Sequence, residues 1–308
     1  MSHVHSHAHA HHHAIESVST TLIACILLNL LFVIVEAGIG FTYHSLGLLS
    51  DAGHNLSDVF SLLLSLFAIR MATRKANSHF TYGYKKSTVL VSLVNAVILL
   101  IAVGGILIES IYKLKSTIPI SGEAISWTAG VGILINGTTA LLLMKGQKND
   151  LNIKGAFLHM AMDTLVSVGV VVSGILISFT QCYLIDAFIG MAIALIILVS
   201  TWKLLKESLY LCLDAVPEQV QLDKLETAIR QTPGVASWHH LHVWAVSTTE
   251  NAATLHVVIR NLAEMEDTKR QLKQLLSTYG ITHSTIEFET SETHCCDASE
   301  GCYRQTRR

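Results

Sequence analysis

His44–Ser65 reads HSLGLLSDAGHNLSDVFSLLLS, and Asn152–Gly174 reads NIKGAFLHMAMDTLVSVGVVVSG. Each is an apolar segment interrupted by one His-x-x-x-Asp: His54 with Asp58, and His159 with Asp163. A spacing of four puts both side chains of a pair on one helical face. In the first segment Gly47, Asp51, His54, Asp58, Ser61 and Ser65 continue that face as a polar stripe; in the second, Gly155, His159, Asp163 and Ser167 do the same. Serines and glycines alone are explained by helices held together through hydrogen bonds. Ionisable groups at membrane depth are costly and face a partner or a water-filled path. Two imidazoles and two carboxylates together make a donor set that suits a tetrahedral zinc ion. The two stretches predict a metal site inside a membrane.

The rest of the chain supports a membrane setting. Its 308 residues are 51% hydrophobic and 14% charged, where a soluble domain is about a quarter charged. Charge is unevenly spread and thickens from Asp214 onward, which separates a membrane part from a soluble part. A formal net charge of -2 and the lack of an extended basic patch argue against a nucleic-acid partner. Six segments reach the roughly 20 apolar residues a bilayer demands; they fall at 18–41, 46–69, 87–112, 124–144, 155–179 and 184–206. The first does not read as a cleavable signal, since histidines rather than Lys/Arg precede it. Arg70, Arg74, Lys75, Lys85 and Lys86 lie between segments two and three, and Lys145, Lys148 and Lys154 between four and five. The opposite loops hold little beyond Lys113 and Lys115, so the positive-inside rule places both termini in the cytoplasm.

The predicted organisation is a His-rich arm (1–17), a six-helix transmembrane bundle (18–214), a small cytoplasmic α+β domain (215–290) and a Cys-containing tail (291–308). Met1–His13 fits either an expression tag or a flexible metal-collecting arm; its interleaved Val, Ser and Ala favour the arm, disordered without metal. From Val220 the pattern is helix, strand, strand, helix, strand (αββαβ), with Thr232-Pro233-Gly234 closing the first helix and Gly280 the second. A core of about 75 residues is marginal alone, which points to dimerisation. Of six cysteines, Cys295, Cys296 and Cys302 cluster near the end with His294. A reduced cytoplasmic tail would hold no disulfide framework, so these read as soft metal ligands. Strict alternation in the first strand puts His240 and His242 on one face and His239 on the other.

SLGLLSDAGHNLSD (Ser45–Asp58), TYGYKK (Thr81–Lys86), HMAMD (His159–Asp163), LDAVP (Leu213–Pro217) and HHLHVW (His239–Trp244) together resemble the cation diffusion facilitator family, of the zinc-transporting type. The resemblance covers nearly everything after the histidine tract. It implies a homodimer of six-helix protomers with a metallochaperone-like, ferredoxin-like cytoplasmic domain, exporting divalent metal against inward proton flow. It also implies a transport site of His54, Asp58, His159 and Asp163, with Zn2+ as substrate. Positions matching His239, His256 and Glu289 would bind metal in the cytoplasmic domain. The Cys295–Cys296 pair departs from the family's Cys-x-x-Cys ending, and the loop ANSHFTYGYKK keeps only His79 of an interfacial site, so that site should be weak or absent. Asp186 fits either a proton-path residue or an exposed group at the mouth of helix six. Two rival readings are an intramembrane zinc hydrolase and a membrane-anchored metal sensor. The first conflicts with four protein ligands, which leave no open position for a catalytic water, and with the lack of His-Glu-x-x-His; the second leaves the polar stripes without a use. Cadmium, cobalt, iron and manganese are alternative substrates. A bacterial inner membrane is the expected location.

Overall fold

A computed structural model describes residues 6–42, 46–115, 122–182 and 184–290, with side chains from residue 19 onward in those stretches except 46–51, 113, 115 and 122–129. The His294, Cys295, Cys296 and Cys302 tail lies outside the described residues. Contacts divide the chain into two units, Met1–Ser208 and Leu209–Arg308.

The first unit is helical: α1 (Ser6–Thr42), α2 (Leu46–Ala72), α3 (Ser87–Lys115), α4 (Gly122–Leu143), α5 (Leu151–Thr180) and α6 (Leu184–Cys212). Among the described residues, five of these are long and apolar enough to cross a membrane; the apolar part of α4 with described side chains is the shorter Gly130–Leu143. Helix α1 runs unbroken from Ser6, where disorder over Met1–His13 was expected. Alternating alanines at 8, 10 and 14 favour helix, and each residue added to an existing helix gains a hydrogen bond without a new nucleus. Helix α5 starts where Asp150 caps it, accepting hydrogen bonds from the Asn152 and Ile153 backbone amides at 2.7 and 3.4 Å.

The burial pattern of this unit is inverted relative to a soluble protein. Leu31, Phe60, Phe67, Ile101, Leu134 and Val199 are exposed, while Asn29, Asn55, Asp58, Ser65, Asn95, Asn152 and Asp163 are buried. Polar groups turn inward when the surroundings are hydrocarbon, because nothing outside the bundle can satisfy them. An apolar cluster of Leu22, Cys25, Val59, Leu62, Leu143, Ile153 and Met160 ties α1, α2, α4 and α5 together and so sets α2 beside α5. The protein is an integral, multi-pass α-helical membrane protein.

The second unit has the expected order: α7 (Leu222–Gln231), β1 (Val235–Ala245), β2 (Asn251–Ile259), α8 (Met265–Thr278) and β3 (Ile281–Glu289). The sheet order is β1-β2-β3, with β1 and β2 antiparallel and β2 and β3 parallel. Ala253, Leu255, Val257 and Ile259 of β2 pack on Leu225 and Ile229 of α7 and on Leu272 and Leu276 of α8. The helices therefore cover one face, and alternate residues such as Thr254 and His256 stand on the other. Gly234 holds φ +86° between α7 and β1, and a Cβ there would lie 2.1 Å from Thr268 Oγ1, so glycine is required.

Candidate metal centres

Helix α2 presents Asp58 and α5 presents His159 and Asp163 into the interior, where their exposures are 1%, 5% and 8%. His159 Nε2 lies 2.6 Å from Asp58 Oδ1 and 3.7 Å from Asp163 Oδ2. His54, the exposed member, brings Nε2 to 3.6 Å from Asp163 Oδ1. One donor atom from each of His54, Asp58 and Asp163 falls within 4.8 Å of the others, the spacing that a single cation could bridge. His159 joins through its contact with Asp58, so all four residues singled out by spacing converge. The second carboxylate oxygens of Asp58 and Asp163 are buried without a hydrogen bond. Buried acceptors of this kind need a partner, and a cation or a proton supplies one.

The helices around the quartet carry further polar groups. Glu36 of α1, 4% exposed, accepts a hydrogen bond at 2.9 Å from Asn55 Nδ2, and Asn55 adjoins His54 in sequence. This acid was not singled out from the sequence. One Glu in a long apolar run was a signal by its cost in hydrocarbon alone, but it had no patterned partner. Asn29 Nδ2 donates to Thr139 Oγ1 at 2.9 Å, linking α1 and α4. Asp186 is not an exposed group at a helix mouth: it is buried, and Ser173 Oγ donates to its Oδ1 at 2.7 Å. His79 is exposed in the α2–α3 turn and, among the described residues, belongs to no donor cluster.

The sheet of the second unit carries the other cluster. In its register His239 faces His256, and Val258 lies beside Glu289. Glu289 Oε1 is 2.9 Å from His256 Nδ1 and 3.3 Å from His239 Nε2, and the three donors fall within 4.8 Å of one another. His239 Nε2 is buried and makes no hydrogen bond. Glu287, the exposed neighbour, reaches 3.6 Å from His256 Nε2. The expected strand alternation does not hold here. Pairing jumps from His239↔His256 to His242↔Thr254, and His240 takes φ +50°, which makes one extra residue on β1. Such a bulge shifts the side-chain parity beyond it, so His239 and His242 share the face opposite the helices. His240 is turned into the cluster, its ring 5.1 Å from those of both His239 and His256.

Comparison with known proteins agrees with both units. Residues 22–212 match the family model of the cation efflux transmembrane domain, and residues 217–291 that of the cation efflux protein cytoplasmic domain. The metal cation efflux system protein CzcD of Cupriavidus metallidurans is 38% identical over 271 residues, covering 87% of this chain and 86% of its own length. A Bacillus subtilis protein named as a cadmium, cobalt and zinc/H(+)-K(+) antiporter is 34% identical over 276 residues, 88% of each chain. The zinc transporter ZitB of Escherichia coli is 32% identical over 275 residues, again 88% of each. On the strength of both domain matches and of relatives aligned along most of their length, this chain belongs to the cation efflux, or cation diffusion facilitator, family of metal transporters.

Proposed function

We propose that this protein is a zinc efflux transporter that exchanges cytoplasmic Zn2+ for protons, using His54, Asp58, His159 and Asp163 as its transport site. The observation that carries the reading is the convergence of these four residues inside the bundle, with Asp58 and Asp163 each keeping one buried oxygen without a hydrogen bond. Two nitrogens and two carboxylate oxygens fit tetrahedral zinc. They bind it only after losing their protons, so metal and proton compete for the same atoms. His159 Nε2 and Asp58 Oδ1 already share a hydrogen at 2.6 Å, which an arriving zinc displaces. Two carboxylates cancel the charge of the dication, and two protons do the same, so the site has equal charge in either loaded state. Alternate access to the two sides then turns competition into exchange.

In this reading α4 is the sixth span, both termini and the C-terminal unit are cytoplasmic, and two copies pair through that unit in a bacterial inner membrane. The family name of the matched C-terminal domain and the loop charges support that placement. His239, His256 and Glu289 hold a second zinc that ties the three strands together. The histidine tract, with Cys295 and Cys296, serves as a collecting arm. A broader substrate range is the second reading, favoured by the relative named for cadmium and cobalt as well as zinc.

The test is zinc-driven proton movement in liposomes holding the full chain, beside Asp163→Ala. Zinc-dependent proton flux that disappears in the variant is expected. Flux surviving in Asp163→Ala, or zinc binding without movement of metal or proton in a folded, oriented protein, would defeat the proposal. Running cadmium and cobalt alongside separates the two substrate ranges.

A further inference from the structure

Below the quartet, toward the end of the bundle where α5 begins, lies a group of buried polar side chains that the exchange just described does not use. Asn152 is 0% exposed, and neither its amide nitrogen nor its amide oxygen has a hydrogen-bond partner. Asn95 Oδ1 and Thr201 Oγ1 are likewise buried and unpaired. Asn95 does spend its Nδ2 on Ser65 Oγ, at 2.9 Å.

Their levels in the bundle follow from the contacts. A Cβ at Gly155 would lie 3.6 Å from both Asn95 Cβ and Leu204 Cδ2, so that face of α5 looks toward α3 and α6. Asn152 is one turn earlier on the same face. One turn from Asn95 and from Leu204 in the matching direction, Ser92 and Ser208 meet Oγ to Oγ at 2.7 Å. One turn the other way along α6 is Thr201. Ser65 of α2 sits at the Asn95 level, seven residues from Asp58, just as Asn152 stands seven from His159. At 1.5 Å per residue that is about 10 Å from the quartet. The polar groups thus form a column on the side of His159 and Asp58 that leads to the α5 N-terminus, where Lys154 pairs with Glu207.

Unpaired amide and hydroxyl groups buried between helices in hydrocarbon are strongly disfavoured when dry. Several along one column mean that something polar occupies the space among them. All are neutral and offer mainly oxygen acceptors. Such a set cannot compensate a bare dication, but it can hold the hydration shell of one, and weakly enough to let it go.

We propose that Asn152, Asn95, Ser65 and Thr201 line a transit subsite that takes a hydrated divalent cation, running from Asn152, about 10 Å from the quartet on the side of the α5 N-terminal end, up toward the quartet at Thr201. The proposal rests on the quartet being the transport site. It places metal dehydration at the last step before His159 and Asp58, and makes Asn152 a determinant of rate and not of final affinity.

The experiment uses the full chain with zinc as probe, reading initial flux in liposomes, equilibrium zinc binding in detergent, and melting temperature. The variants are Asn152→Leu, which keeps the branched skeleton and removes both polar atoms; Thr201→Val, which keeps the shape and removes the hydroxyl; and Asn152→Ser, which keeps an oxygen and leaves room for water. Expected is at least a tenfold loss of kcat in Asn152→Leu and a smaller loss in Thr201→Val. Equilibrium zinc affinity should stay within twofold of the parent, with no fall in melting temperature, and Asn152→Ser should recover most of the rate. Parental flux in Asn152→Leu would mean that the column holds water or packing only, and would overturn the subsite. So would rate and affinity falling together, which would make Asn152 a support of the quartet. Should Asn152→Leu not fold, Thr201→Val decides on the same criteria, parental flux again counting against the subsite. Asp163→Ala in the same assay separates the two proposals, since flux there removes the quartet reading whatever the Asn152 variants do.

Discussion

Lowering the pH should weaken zinc binding at the quartet by an amount set by the number of imidazoles in it. Zinc binds the neutral ring, so every protonated histidine must first release its proton. By linkage the affinity falls about tenfold per pH unit for each proton that zinc displaces, so the fall between pH 7.5 and 5.5 counts those protons. Displacement of one proton therefore gives about tenfold per unit, and displacement from both His54 and His159 about 100-fold per unit. The sign is fixed: affinity is greatest at high pH and falls as the pH drops. Each zinc bound should release about one proton fewer in His159→Ala than in the parent, because the ring and its 2.6 Å contact with Asp58 Oδ1 are gone. Calorimetry of the solubilised full chain, in buffers of differing ionisation enthalpy, counts those protons. Subtracting the isotherm of an Asp58→Ala, Asp163→Ala double variant removes zinc bound elsewhere. Equal affinity at the two pH values, or an unchanged proton count in His159→Ala, would refute the idea that zinc and protons share these atoms.

Gly234→Val should destabilise the C-terminal unit by about 2–4 kcal/mol, from a left-handed backbone and from overpacking, because its φ is +86° and the new Cβ would meet Thr268 Oγ1 at 2.1 Å; thermal unfolding followed by the strand signal measures it, and an unshifted transition would contradict the close approach. Glu289→Gln removes the carboxylate that lies within 3.3 Å of both His239 and His256. Dialysis equilibrium in a His54→Ala, Asp163→Ala background should then show one zinc fewer per chain near micromolar metal, and an unchanged stoichiometry would place that zinc elsewhere.

The quartet was legible in the sequence because helical periodicity is enough to place it. Four residues at two i, i+4 spacings can only line two helical faces, and their cost in hydrocarbon turns those faces toward each other. The αββαβ order was legible for a similar reason, since apolar spacing switches period at Pro233-Gly234 and again at Gly280. The faces of the β1 histidines were not. Alternation holds only while pairing stays in step, and the single extra residue at His240 moved His239 and His242 onto one face. Nothing in HHLHVW announces a bulge, because a positive φ is taken there by a histidine and not by glycine. Glu36 and Asn152 went unremarked for a different reason. Their meaning lies in which neighbours they have across the bundle, or lack, and one chain's periodicity carries no record of that.

The two donor clusters use the same chemistry under different electrical constraints, and in the proposed function that difference separates a mobile ion from a resident one. In the bundle the quartet offers two carboxylates, with Asp58 and Asp163 buried. Two carboxylates balance either one zinc or two protons, so both loaded forms are neutral overall, and a neutral site can move relative to hydrocarbon without the penalty of an unpaired charge. On the sheet, His239 and His256 share one carboxylate in Glu289, and the nearest further acid, Glu287, is 65% exposed. Zinc there leaves a positive remainder that water and Glu287 can screen, which is acceptable at a surface that stays where it is. Replacing Asp163 by Asn would impose the same remainder on the bundle. The imbalance should then block movement even where zinc still binds, so an Asp163→Asn protein that holds metal yet carries none would be the electrostatic signature of a site built for exchange.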